Sequence, residues 1–260
     1  MGENSKIEWT HHTFNPWWGC MKVSDGCANC YAETFAKRTG HSIWGPATTT
    51  QRRTFGDKHW AEPLKWNDEA EKAGERRRVF CASMADVFEE HPQLHAERMR
   101  LWELIQRTPW LDWLLLTKRP ENVGWFAPTR WQTDGYPGNV WIGTSVENQA
   151  MADKRIPILA TIPAAVRFLS CEPLLGPLDL ATWFYSMMTD DYSCAIDWVI
   201  VGGESGPKAR PMSPDWVRSV RDQCNGAGVA FHFKQWGGVR KHETGCILDG
   251  RTWDEYPFNA

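Results

Sequence analysis

Six segments of this chain share one design, a short run of apolar residues that ends in polar residues or glycine. They cover 79–84, 113–117, 140–145, 166–170, 198–202 and 230–233. Each predicts a buried strand, because parallel strands covered by helices need apolar side chains on both faces. Helical stretches fall between most of them, at 92–107, 149–160 and 214–226. Ser213 followed by Pro214 is a helix start, with the serine as cap and the proline in the first turn. Alternating strands and helices predict right-handed βα units on a parallel sheet, hence an α/β protein. An earlier strand is expected at 7–10, leading into a loop rich in Gly, Pro, Asn and Asp and then a helix. Residues 40–78 are Trp-rich, polar and poorly periodic and predict an insertion after that helix, while 230–260 form a C-terminal extension carrying the last strand. At 260 residues, a single domain spanning 1–260 accommodates all of this.

In such a sheet the C-terminal ends of the strands lie on one face, where α/β sites form. Those ends carry Ser83 and Asp86, Thr117-Lys118-Arg119, Ser145 and Glu147, Ser170-Cys171-Glu172, Gly202-Gly203-Glu204, and Lys234-Gln235. Strand alternation points Ser145 with Glu147 and Ser170 with Glu172, and turns Cys171 the other way. For any one of Glu147, Glu172 and Glu204, capping a helix or pairing with a base suffices as a role. Three carboxylates on one rim argue for a ligand.

Composition adds limits. No apolar run is long enough to span a bilayer, and the first residues lack the apolar core of a signal peptide, so the expectation is a cytoplasmic protein with no membrane partner. In a reducing compartment the eight cysteines are expected as metal ligands or buried thiols rather than disulfides. Cys81, Cys171, Cys194, Cys224 and Cys246 stand singly and are expected as small buried hydrophobes. The net charge of −3 demands no polyanion, although basic residues bunch at 52–53, 76–78, 98–100 and 118–119. Many of the 17 tryptophans must pack the core, yet several sit among polar loop residues, where an indole can stack on a base.

Only Cys20, Cys27 and Cys30 cluster, three thiols within eleven residues at C-x6-C-x2-C. They fit zinc with a fourth ligand such as His11 or His12. They equally fit three irons of a 4Fe-4S cluster with the fourth iron open. Spacing alone leaves these balanced; context favours the cluster, because the loop opens on the polar rim, which a closed zinc site does not need.

The stretches 6–10, 15–20 and 24–33, with 83–88, 115–120, 141–147, 170–175, 201–206 and 233–237, resemble the phage Gp37/Gp68 family, also called the three-Cys-motif family. That resemblance covers nearly the whole chain, and the family is in turn similar to radical S-adenosylmethionine (SAM) enzymes. It implies a partial (βα)6 TIM barrel in which Cys20, Cys27 and Cys30 hold a 4Fe-4S cluster whose open iron SAM chelates. Two departures stand out: the first gap is six residues instead of three, and Asn29 replaces the aromatic usual before the third cysteine, with Tyr31 close by. The implied activity is reductive cleavage of SAM to a 5'-deoxyadenosyl radical that abstracts hydrogen, with a flavodoxin or ferredoxin as electron donor. Ser83 and Asp86 are implied to recognise the SAM amino group. Ser145 and Glu147 suit the ribose or methionine end, and Gly202 and Gly203 let the backbone approach adenine; Ser170 and Glu204 also count among the cofactor-binding candidates. Lys118, Arg119, Glu172, Glu204 and Lys234 remain for substrate, with Lys118, Glu172 and Lys234 as catalytic candidates. The phage association implies hypermodification of viral DNA in the host cytoplasm, such as isomerisation of an amino-acid-substituted thymine flipped out of the stack. The segment 44–78 would then face DNA with its arginines and indoles, or else merely cover an open barrel side. Action on RNA or a peptide, and a non-catalytic zinc-stabilised nucleic-acid-binding protein, are the alternatives.

Overall fold

The alternation of apolar runs and amphipathic stretches does produce βα units. A computed structural model describes residues 2–3, 5, 7–184 and 195–257; Cys194 lies outside the described residues. In chain order the strands are β1 (His12–Phe14), β2 (Trp17–Trp18), β3 (Arg53–Thr54), β4 (Arg77–Cys81), β5 (Leu111–Thr117), β6 (Val140–Ser145), β7 (Val166–Cys171), β8 (Trp198–Gly202) and β9 (Ala230–Gln235). Seven of them form one parallel sheet in the order β1-β4-β5-β6-β7-β8-β9, and β2 pairs with β3 in a separate antiparallel pair. The expected α/β class with parallel strands therefore holds. By internal packing the chain divides into two units, one of Met1–Val23, Cys30–Ile142 and Pro163–Ala165, the other of Ser24–Asn29, Gly143–Ile162 and Val166–Ala260.

In the first unit β1 pairs with β4 and β4 with β5, in registers that set His12 beside Val79 and Val79 beside Trp113. β5 is almost wholly buried, as a strand covered on both faces must be. The first strand is not at 7–10 but at His12–Phe14. Residues 7–10 instead turn, with the Thr10 N–H donating to Ile7 O (3.2 Å). The Thr10 hydroxyl then stands in for a ladder rung, donating to Arg78 O and accepting from Phe80 N–H. The segment 40–78 contains β3, a short helix Asp57–Trp60 and the helix Glu62–Ala73, which carries Pro63 in its first turn and ends on Gly74 at φ +68°. Its Trp60 and Trp66 are buried, so these indoles pack the interior rather than face a partner. Arg53 is exposed and lies over Trp18, 4.8 Å from the ring centroid.

In the second unit β7, β8 and β9 are parallel, with a register shift after Val201 that sets Gly202 opposite Gln235. The helix Gln149–Ala160 is capped by Asn148, whose side chain accepts from Met151 N–H. The helix Pro214–Ala227 is capped by Ser213, as its sequence predicts, and closes on Gly228 at φ +68°. Beyond β9 the chain returns alongside it, where Phe233 N–H donates to Trp253 O and Trp198 Nε1–H to Glu255 O. Cys81, Cys171 and Cys224 are buried, whereas Cys246 is half-exposed between the exposed Gly245 and Ile247, against the expectation of a buried thiol. No helix among the described residues is long and apolar enough to cross a membrane.

Candidate functional site

In the first unit the chain approaches Cys20 through a position that only glycine fills. At Gly19 (φ +115°) a Cβ would stand 2.4 Å from Ile43 O. Cys20 itself bridges to Trp44, and Gly45 N–H donates to its carbonyl. Its sulfur receives a hydrogen bond from Arg119 Nη1 at 3.7 Å. Burial, reinforced by the Asp86 carboxylate, pushes the Cys20 thiol up to about 12, while Arg119 pulls it down. The Arg119 guanidinium is 6% exposed and also donates to Asp86 Oδ2 (2.8 Å) and Met21 O (2.7 Å). It is thus held internally, not presented to a substrate.

Asp86 accepts from Phe88 N–H, the Thr117 hydroxyl, Lys118 N–H and Arg119. Ser83 Oγ accepts from Asn15 Nδ2, and Asn15 Oδ1 takes the Met84 N–H at 2.7 Å. Tyr31 turns its hydroxyl to Ser83 O (2.7 Å), which ties the start of the helix Tyr31–Arg38 to the end of β4. Cys30 occupies the N-cap position of that helix. Behind these lies a bidentate pair, Arg52 with Glu89, both buried. Lys118 is half-buried.

In the second unit the turn Asp25–Cys27 is a single 3-10 turn closed by Cys27 N–H to Ser24 O (2.9 Å). One carboxylate bonds it directly, and a second is tied to it through Arg210 and to the following Asn29. Glu147, fully buried, accepts from Gly26 N–H at 3.2 Å and from Arg155 Nη1 at 2.8 Å, and the same Arg155 atom donates to Ser145 O. A Cβ at Gly26 would lie 3.0 Å from the Glu147 carboxyl carbon, a close fit that a larger residue could enter only by shifting that side chain. Glu204, 6% exposed, accepts from Asn29 Nδ2 and from the backbone and guanidinium of Arg210. Arg210 also donates to Asp25 O, and Asn29 to Lys208 O. Burial opposes ionisation of Glu204, but the bonds from Arg210 and Asn29 prevail and hold its carboxyl below the usual range. The rim carboxylates Glu147 and Glu204 are therefore occupied in fixing the cysteine segment. Asn29 is one of its anchors.

The remaining rim residues of this unit form a smaller group. Ser170 Oγ donates to Glu172 Oε2 at 3.5 Å, in keeping with both side chains sharing a strand face. Glu172 pairs with Lys234 (2.7 Å), with side chains 14% and 22% exposed. Gly202 makes room for this carboxylate, since a Cβ there would lie 2.5 Å from Glu172 Oε1. At Gly203 a Cβ would meet Trp236 O at 1.9 Å. Ser145 is buried, with its carbonyl taken by Arg155.

The first unit thus gathers Cys20 with Arg119, Asp86 and Ser83, and the second gathers the Cys27 turn with Glu147 and Glu204, and Glu172 with Lys234. Among the described residues, no three His, Cys, Asp or Glu side chains form a ready metal cage. Sequence reasoning missed Arg155, Arg210, Arg52 and Glu89. Arg155 left a signal: it falls on the stripe Ala152, Ile156, Leu159 at helical spacing, where a cation needs a buried partner. A family model described as "protein of unknown function (DUF5131)" matches residues 4–257. No curated protein and no solved structure matches the chain.

Proposed function

We propose that this chain, which belongs to the DUF5131 family, is a radical SAM enzyme whose segment 20–30 holds a 4Fe-4S cluster through Cys20, Cys27 and Cys30. The observation that carries the reading is the character of the donor set. The three cysteines carry no disulfide, and a guanidinium donates to the sulfur of the first. The turn bearing the second is held by the buried Glu147, and Asn29 just beyond it by the buried Glu204. A segment that served only as a surface loop would have no use for two internal arginine–carboxylate anchors. When bound, such a cluster supplies the electron that cleaves SAM to a 5'-deoxyadenosyl radical for hydrogen abstraction.

The chain's own residues do the positioning. Glu147 and Glu204 hold the peptide around Cys27, and Tyr31 holds the helix that begins after Cys30. The partly exposed Glu172–Lys234 pair is suited to a substrate that offers an amine and a carboxylate or phosphate. On this reading the fold is the partial (βα)6 barrel of radical SAM enzymes. The substrate is a base of phage DNA, flipped out for isomerisation or a related hypermodification, and the electron donor is a flavodoxin or ferredoxin.

The test is anaerobic purification and reconstitution followed by a visible spectrum and metal count. A brown protein with about four irons per chain supports the reading, and zinc without iron would sink it. Cys27→Ala should lose the iron and SAM cleavage, whereas Cys224→Ala, at a buried thiol far along the chain, should keep both. Incubation with SAM, dithionite and phage DNA, read by mass analysis of nucleosides, tests the substrate. Cleavage of SAM indifferent to DNA would count against it and favour RNA or a peptide.

A further inference from the structure

We infer that Arg119 is a positioning residue that donates a hydrogen bond to the Cys20 sulfur as a metal-bound thiolate and thereby raises the reduction potential of the iron-sulfur group; this rests on the cluster reading above. Its guanidinium is aimed by three acceptors at once. Nη1 serves Asp86 Oδ2 and Cys20 Sγ, and Nη2 serves Met21 O, the carbonyl next along the chain from Cys20. The fork therefore fixes both the sulfur and the peptide that carries it. A lysine, whose donors sit on one nitrogen at the end of a flexible stem, cannot hold both in the fixed geometry of a guanidinium fork.

Arg119 is the cation that pairs with Asp86, whose other partners, Phe88 N–H, the Thr117 hydroxyl and Lys118 N–H, are neutral; that pairing calls for a positive charge but not for a fork that also reaches Cys20 Sγ and Met21 O. Glu89 already has the bidentate Arg52. The order of dependence is that Asp86 aims Arg119, and Arg119 meets the thiol. Donation from a cation to a thiolate ligand draws charge off the sulfur and stabilises the reduced, more negative state. Because the guanidinium is buried, water does not screen that effect.

The experiment is a redox titration of the reconstituted full chain, followed by electron paramagnetic resonance. Arg119→Lys keeps a cation beside Asp86 and should keep its iron, but at fixed poise the ratio of reduced to oxidised cluster should fall at least tenfold, about 59 mV for one electron. Glu89→Gln loosens the same ion-pair network without touching sulfur and should not lower the ratio. An iron-loaded Arg119→Lys chain with the wild-type midpoint overturns the inference, as does an equal drop in Glu89→Gln. If Arg119→Lys does not fold, wild-type chain grown with nitrogen-15 arginine decides. A nitrogen coupling to the reduced cluster that changes with the isotope supports the inference, and its absence overturns it. Wild-type chain that takes up no iron overturns the cluster reading itself, and this inference with it, a result distinct from an iron-loaded chain with an unmoved midpoint.

Discussion

A methyl group is the smallest probe of how tightly this rim is built. At Gly203 it would collide with a backbone carbonyl, Trp236 O, which cannot swing aside. Gly203→Ala should therefore cost about 1–3 kcal/mol or more in urea unfolding. At Gly226, near the end of the helix Pro214–Ala227, a Cβ meets nothing within 4 Å, so Gly226→Ala should gain about 0.5–1 kcal/mol. If the two changes had similar effects, the close approach at Gly203 would be misplaced. Gly202 differs from both, because its neighbour is the end of a side chain, Glu172, and that end can move. At this scale the sequence displayed the chemistry of the rim but not its wiring. Glu147 and Glu204 were legible as carboxylates at strand ends, and their arginines lie only 8 and 6 residues away, but their partners Gly26 and Asn29 are 121 and 175 residues distant, and no local pattern announces a pairing over such distances.

Elements were legible where both faces of a strand are apolar. β6 and β8 fall where the apolar runs 140–145 and 198–202 put them. β1 was not legible, because a buried strand that reads His-Thr-Phe carries no hydrophobic alternation, and the turn before it holds the apolar Ile7 and Trp9. Within the second unit, the end of β6 and the helix Gln149–Ala160 are joined by the Glu147–Arg155 pair, whose side chains are 0% and 2% exposed. A buried pair adds little net stability over a well-packed apolar pair, but breaking it strands a charge. Glu147→Gln should thus cost about 3–5 kcal/mol in chemical unfolding, whereas Asn148→Ala, which removes only the helix cap, should cost about 1 kcal/mol. Equal costs would mean that Arg155 finds water or another acceptor when Glu147 is neutralised.

For the molecule as a whole, acid is the informative stress. Burial, then Arg78 and Arg77, lower the His11 imidazole from 6.5 to about 4, and its Nδ1 accepts from Arg78 N–H, a bond that protonation there would break. Below pH 6.5 the unfolded chain binds a proton that the folded chain refuses until about pH 4. Stability rises with pH across that window and is lost as the pH falls through it. Chemical unfolding at a series of pH values should show that loss, and His11→Gln, which keeps an acceptor without a titration, should flatten it. A variant that keeps the wild-type slope would place the proton uptake elsewhere. A different constraint follows from the anchors of the Asp25–Cys27 turn, and it concerns the order of synthesis. Glu147 lies 121 residues after Gly26, and Arg210 185 residues after Asp25. At about 5–20 residues per second, the second anchor follows the turn out of the ribosome by about 10–40 s. Cys27 thus spends that interval on a peptide whose final shape has no scaffold, and a chain interrupted before Arg210 carries the turn without the bond from Arg210 to Asp25 O.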